Sequence, residues 1–170
     1  MHLRMMLGGL LFTILPFAAW SDTGRTITVN FSTAMLTVQH GQSTVFETAV
    51  VLPRGNYYPV PIRGTVQRSM MGPRWTPTQN MHRDYPGRYK QSYGPYEAGN
   101  AMGHCKIYID FERTAEFPIL NTVRIHGNAR TEDLGLRKSR SCIRIPDSLC
   151  QTMVEVTQRY QEPVTVQFVR

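Results

Sequence analysis

Two residues in this chain are spaced to make a sulfur nucleophile and its base. His126 stands in Ile125-His126-Gly127-Asn128, and Cys142 follows 16 residues later in Ser139-Arg140-Ser141-Cys142-Ile143-Arg144-Ile145. A cysteine attacks well only as its thiolate, and an adjacent imidazole takes the proton and holds the resulting ion pair. The segment between them is polar and contains Gly135, so it is long enough to fold back and bring the two side chains together. Spacing alone leaves a structural role for both residues open.

The other cysteines bear on that reading. With Cys105 and Cys150 the count is three, and an odd count in an oxidising compartment leaves at least one thiol unpaired. The sequence does not choose the pairing. A Cys105–Cys150 disulfide would leave Cys142 free, while Cys150 on a helix is alternatively a small buried hydrophobe. His82 and His104-Cys105 have no C-x-x-C or H-x-x-x-H partner spacing, so no metal or cofactor is called for.

The elements that must carry these residues read as mostly strands. From Thr26 to Val51, Ile27, Val29, Phe31, Leu36, Val38, Val45, Ala49 and Val51 keep a period of two, the pattern of half-buried strands. His40-Gly41 reads as a tight hairpin turn. Tyr57 to Met71 continues the theme, but Pro59, Pro61 and Gly64 predict an edge strand or one that ends early. Gly72 to Gly103 is dense in Pro and Gly and also holds Trp75, Tyr85, Tyr89, Tyr93 and Tyr96. That composition predicts a long ordered loop acting as a lid. Strands resume at Cys105–Phe111 and Thr122–His126. One helix is expected, with Asp147 as N-cap and Leu149, Met153, Val156 and Tyr160 on one face. Pro163 ends it, and Val164, Val166 and Phe168 form a last strand.

The first residues read as a signal peptide, 1–21, with an apolar run from Leu7 to Ala19 and small residues at Ala19 and Ser21. The run is short for a bilayer core, which needs about 20 apolar residues, so no membrane span is expected after cleavage before Asp22. The domain would then be 22–170, acting in the periplasm or cell envelope. The chain has 19 Lys and Arg against 12 Asp and Glu, a net charge of +7. These cations are spread along the sequence with no basic block. An anionic wall polymer or a membrane surface suits an exported chain of this kind better than nucleic acid does.

Beyond the His/Cys pair, the sequence resembles the L,D-transpeptidase catalytic domain (YkuD-like), whose motif is HG, a dozen or more residues, then S-x-G-C-[IVL]-R. Arg74-Trp75-Thr76-Pro77-Thr78 with Met81 resembles a W-T-P-T-x-x-M segment of the ErfK/YbiS branch. Gly99-Asn100-Ala101-Met102-Gly103 resembles that branch's G-x-x-N-P-x-G turn, and Gly55-x-Tyr57 a further short motif. The resemblance runs from about Thr26 to Arg170. It implies a mainly β fold, an L,D-transpeptidase-type β-sandwich with one C-terminal helix and a long loop lid.

The same resemblance implies a reaction and its residues. Cys142 would attack a peptidoglycan tetrapeptide stem, release D-Ala and hold the rest as a thioester. An amine, on another stem peptide or on the lysine of an outer-membrane lipoprotein, would then take the acyl group. His126 would be base and then acid, with Gly127 beside it, and backbone N–H groups around Ser141 and Cys142 would bind the oxyanion. Arg144 would brace the site or pair with a substrate carboxylate. Ser139, Asn128, Trp75 and Arg140 complete the expected substrate-binding set. Ser141 stands where the family has Gly. If that position needs a left-handed backbone, Ser costs about 1 kcal/mol or more, and Ser141→Gly would speed acylation. Alternatives are an L,D-carboxypeptidase, with water as acceptor, and an inactive wall-peptide-binding protein.

Overall fold

The computed structural model describes residues 24–55, 59–158 and 162–170. The expected signal segment 1–21 lies outside these residues, as do Tyr57 and Tyr160. Among the described residues no helix is long and apolar enough to cross a membrane.

The period-two segments become strands with their apolar positions inward. The elements are β1 (Arg25–Asn30), β2 (Met35–His40), β3 (Ser43–Ala49), β4 (Leu52–Pro53), β5 (Ile62–Met71), α1 (Gln79–Asp84), β6 (Cys105–Phe111), β7 (Arg124–His126), β8 (Arg137–Ser139), β9 (Ile143–Arg144), α2 (Cys150–Gln158) and β10 (Val164–Val169). Eight strands form one curled sheet in the order β3-β2-β1-β10-β5-β6-β7-β9, and β4 pairs with β8 in a second, two-stranded sheet. Ile27, Val29, Leu36, Val38, Ile107, Ile125, Ile143, Val166 and Phe168 are fully buried in one core. The helix α2 adds Met153 and Val154 to it. Its far end is tied to β5, where Thr157 Oγ1 donates to Ser69 Oγ at 2.7 Å and Gln158 Nε2 to the Ser69 carbonyl at 2.7 Å.

The hairpin forms at Gly41-Gln42, with His40 opposite Ser43. Three expectations need correction. The strand β5 is neither an edge nor short: it pairs with β10 on one side and β6 on the other, because Pro59 and Pro61 lie ahead of its first residue and cost it no ladder bond. Val45 is 47% exposed rather than half-buried, because the register shifts there: Val38 pairs with Phe46 and Gln39 with Thr44, so Val45 has no ladder partner and Phe46 takes the place against the core. Asp147 does not cap its helix. The chain enters through a 3-10 turn at Asp147–Leu149 capped by Pro146, and the Asp147 carboxylate turns elsewhere. The loop 72–103 also contains a short helix that Pro and Gly content concealed: α1 is capped by Thr78, whose side chain accepts from Met81 N at 3.3 Å.

Candidate active site

The site is built where three short strands converge. In the β6–β7 ladder His126 lies opposite Lys106, and in the parallel β7–β9 pair it lies beside Arg144. Cys142 immediately precedes β9, so the same pairing that seats Ile143 against Ile125 brings Cys142 beside Arg124 at the start of β7, two positions before His126 on the same face. The loop before it is tied off by Ser139. Its buried hydroxyl donates to the Cys142 carbonyl, while its own carbonyl accepts from Arg54 N at 3.0 Å. The Ser139 hydroxyl is thus engaged inside the nucleophile loop.

One cleft holds most of the residues singled out in the sequence. Cys142, Ser141, Arg140, Ser139, His126 and Arg144 line one side. Trp75, Met81, Ala101 and Met102, all from the 72–103 loop, line the other. That loop is braced internally. Trp75 exchanges backbone hydrogen bonds with Tyr93 at 3.1 and 2.8 Å, and their ring centroids are 5.1 Å apart. Asn100 Nδ2 donates to the Pro73 and Gly94 carbonyls at 2.8 Å each, which closes the loop on itself.

Cys142 is the free cysteine, half-buried, because Cys105 and Cys150 form a disulfide. Its thiol donates to the Thr122 carbonyl at 3.7 Å and lies 3.9 Å from Ser141 Oγ. No hydrogen bond joins it to His126, although both face the cleft. Among the described residues, the backbone N–H groups of Ser141 and Cys142 donate to no protein acceptor, which is the condition an oxyanion site requires.

His126 is buried, and its Nδ1 lies 2.8 Å from the Gly127 carbonyl. A carbonyl only accepts, so Nδ1 carries the proton and Nε2 is left as the basic nitrogen. Burial first, then the Arg144 and Lys106 charges, push the imidazole down to about 4, against the opposing pull of the Gly127 and Met102 backbone. The ring is therefore neutral near pH 7. The unfolded chain binds this proton near pH 6.5 and the folded one only near 4, so the contribution is intact above about 6.5 and is lost as pH falls between them. The loss amounts to about 3 kcal/mol. Thermal unfolding measured from pH 7 to pH 4 should show that slope, and His126→Gln should flatten it. An equal slope in both proteins would contradict a buried neutral ring.

Arg144 is held by its backbone, which exchanges hydrogen bonds with Val51 at 2.9 and 3.0 Å. Its Nε is buried without a hydrogen-bond partner. Burial lowers the guanidinium from its usual value, and Cys142 and Asp133 oppose that fall. Arg144 and Cys142 line the same cleft.

Sequence reasoning missed Asp147. Its Oδ1 accepts from His104 N at 2.8 Å and Asn128 N at 3.0 Å, pinning the ends of both segments that flank His126. This explains Gly127: a Cβ there would sit 2.0 Å from Asp147 Oδ1 and 2.9 Å from His104 N. Gly103 is constrained likewise, 2.3 Å from the same oxygen. The sequence offered one clue, an acidic residue in front of a helix, and the capping explanation absorbed it.

The left-handed residue of the site is Asn128, at φ 65°, not Ser141. Asn128 tolerates that conformation better than most residues, and its Nδ2 reaches the Ala101 carbonyl at 3.4 Å. Ser141 lies outside the positive-φ region, so it carries no left-handed strain and Ser141→Gly has none to relieve.

No family model matches the chain. It is 35% identical over 83 residues to the probable L,D-transpeptidase ErfK/SrfK of Escherichia coli strain K12, a stretch covering 48% of this chain and 24% of that protein. It is 31% identical over 105 residues to the probable L,D-transpeptidase YbiS of the same strain, covering 58% of this chain and 31% of that one. The matches thus span less than a third of these relatives' length. Among solved structures, the catalytic domain of an Enterococcus faecium L,D-transpeptidase acylated by ertapenem superposes with a TM-score of 0.56 at 15% identity, covering 85% of this chain and 96% of that chain. An L,D-transpeptidase from Mycobacterium smegmatis gives 0.56 at 11%, covering 84% and 58%. At those identities the structural likeness is one of fold. The chain therefore has the fold of an L,D-transpeptidase catalytic domain, and in sequence it is similar to the ErfK/YbiS members of that family.

Proposed function

We propose that this chain is a peptidoglycan L,D-transpeptidase working in the cell envelope, with Cys142 as nucleophile and His126 as base. The observation that carries the reading is a free thiol and a buried neutral imidazole facing one cleft in this fold. Cys142 Sγ swings from the Thr122 carbonyl toward Nε2 of His126, gives up its proton there and bonds to the carbonyl carbon between the third residue and the terminal D-Ala. Catalytic hydrogen bonds are commonly long before substrate binds and tighten in the complex. The free N–H groups of Ser141 and Cys142 take the oxyanion, and Arg144 offsets the charge. As the intermediate collapses, the imidazolium protonates the departing D-Ala amine, leaving a thioester. An acceptor amine then attacks the thioester and loses a proton to His126. The thiolate leaves and is reprotonated.

Trp75 and Arg140 border the cleft as contacts for the peptide. Asn128 orders the wall beside His126, and Ser139 keeps the nucleophile loop closed. The acceptor is a second stem peptide or a lipoprotein lysine. A binding-only protein would need Ser141 to prevent acylation, and a backbone outside the left-handed region at Ser141 supports the enzyme reading over that one. Water as acceptor would use the same first half-reaction. Mass spectrometry of the protein with a disaccharide tetrapeptide tests the proposal. The expected result is loss of D-Ala and a tripeptide acyl adduct on Cys142 that an added amine removes. Bound peptide with no adduct and no D-Ala would overturn it.

A further inference from the structure

The sheet face that carries His126 does not end at the cleft. Arg144, His126 and Lys106 share one row across β9, β7 and β6. Residues two apart on a strand point to the same face, so the next row is Arg124, Tyr108 and Arg68 across β7, β6 and β5. An irregularity between Val66 and Arg68 sets Arg68 opposite Tyr108. Three cations then surround one ring. Arg68 Cζ lies 4.5 Å from the Tyr108 centroid, Lys106 Nζ 4.8 Å and Arg124 Cζ 4.8 Å.

No two of these cations are farther apart than about 10 Å, roughly one Debye length, so they repel one another. A ring face attracts a cation by about 0.5–1 kcal/mol at an exposed site, which does not neutralise three. None of the ion pairs among the described residues uses them, and Asp110, one row further along β6, pairs with none of them. Arg124 spends one N–H on the Val123 carbonyl. Burial would raise the Tyr108 hydroxyl, yet Lys106 and Arg68 bring it below its usual value. Such a cluster lacks an anion. A guanidinium fork matches a carboxylate, and here two forks and an ammonium converge.

We propose that Arg68, Lys106 and Arg124, arrayed round Tyr108, form a carboxylate-binding subsite that holds the donor stem peptide upstream of the residue being acylated. The ligand class rests on the proposed function. The geometry links the subsite to that reaction through Lys106, which touches the Tyr108 ring and sits opposite His126. By the β7–β9 register Cys142 falls in the row of Arg124, and Tyr108 lies two strands across from it, about 10 Å, so a peptide with its reacting carbonyl at Cys142 reaches the cluster with its preceding residue or two.

The test is equilibrium binding to the Cys142→Ala protein of a disaccharide tetrapeptide and of the same ligand amidated at the carboxylate upstream of the acylated residue. The acid should bind about tenfold tighter. Arg68→Gln with Arg124→Gln should bring it down to the affinity of the amide, and the paired Lys substitutions should restore part of the difference, which a merely misfolded patch would not do. Equal binding of acid and amide overturns the subsite, even where D-Ala release shows the enzyme reading to be right. Discrimination without any D-Ala release from the Cys142 protein supports the subsite and sinks the reaction. If the Gln pair abolishes binding to vesicles of anionic phospholipid and leaves peptide discrimination intact, the patch is a membrane surface and the proposal fails.

Discussion

Replacing Cys142 with Ala should abolish covalent modification by a carbapenem, whose strained ring offers the thiol an activated acyl carbon. Cys142 is the single sulfur nucleophile the fold leaves available, because Cys105 and Cys150 are spent on each other. The adduct should therefore be one per chain, and its loss in the variant complete. With a tetrapeptide the expected fall in single-turnover acylation is about 10⁶-fold, the scale seen when the nucleophile of an acyl-transfer triad is removed. The fold should not suffer. The Cys142 side chain is half-buried and its Sγ makes only weak polar contacts, to the Thr122 carbonyl at 3.7 Å and Ser141 Oγ at 3.9 Å, so the midpoint of thermal unfolding should stay within a few degrees. Intact-mass spectra before and after exposure to the drug read the result. A variant that gains the drug's mass at the parent's rate would refute the assignment of the nucleophile.

The second large effect concerns stability. The Cys105–Cys150 bridge closes a 45-residue stretch and joins the first residue of β6 to the first of α2. Constraining a loop of that length in the unfolded chain contributes about 4 kcal/mol by the loop-entropy relation. Cys105→Ala with Cys150→Ala should therefore lower the unfolding midpoint by roughly 10 °C. Activity should fall as well, since Cys150 Sγ lies 3.9 Å from the Asp147 oxygen that pins His104 and Asn128 around His126. Thermal scans of parent and variant, each with and without reductant, separate the bridge from general effects of reduction. An unchanged midpoint in the double variant would count against the bridge.

Much of this site was legible because its parts are local. Ile125 to Asn128 and Ser139 to Ile145 are contiguous stretches, and each reads as a strand end holding one reactive side chain. The apolar alternation of β1, β2, β6 and β10 was equally visible, since burial on one sheet face writes itself into every second residue. What escaped was set by distance in the chain. Asp147 looks like a helix cap until His104 and Asn128 arrive to claim its carboxylate. Ser141 looks strained until the parallel β7–β9 pairing fixes the path of the loop and puts the left-handed turn at Asn128 instead. The strand β5 looks like an edge until β10 returns to its open side. The two-residue strands β4 and β9 carry too little sequence to show a period at all.

The order of the large sheet has a consequence for how the molecule comes into being. The strand β10 lies between β1 and β5, parallel to the first and antiparallel to the second. It is the seam between β3-β2-β1 and β5-β6-β7-β9, and Gln167 reaches back 139 residues to Thr28. Contacts so distant in sequence slow folding, because the loop entropy is lost before the pairing repays it. Until Val164–Val169 has been synthesised, the nascent chain is two unjoined part-sheets with open edges at β1 and β5. Those edges are unpaired strands until then, and the thiol-bearing half reaches its final form only once β10 has taken its place in the sheet.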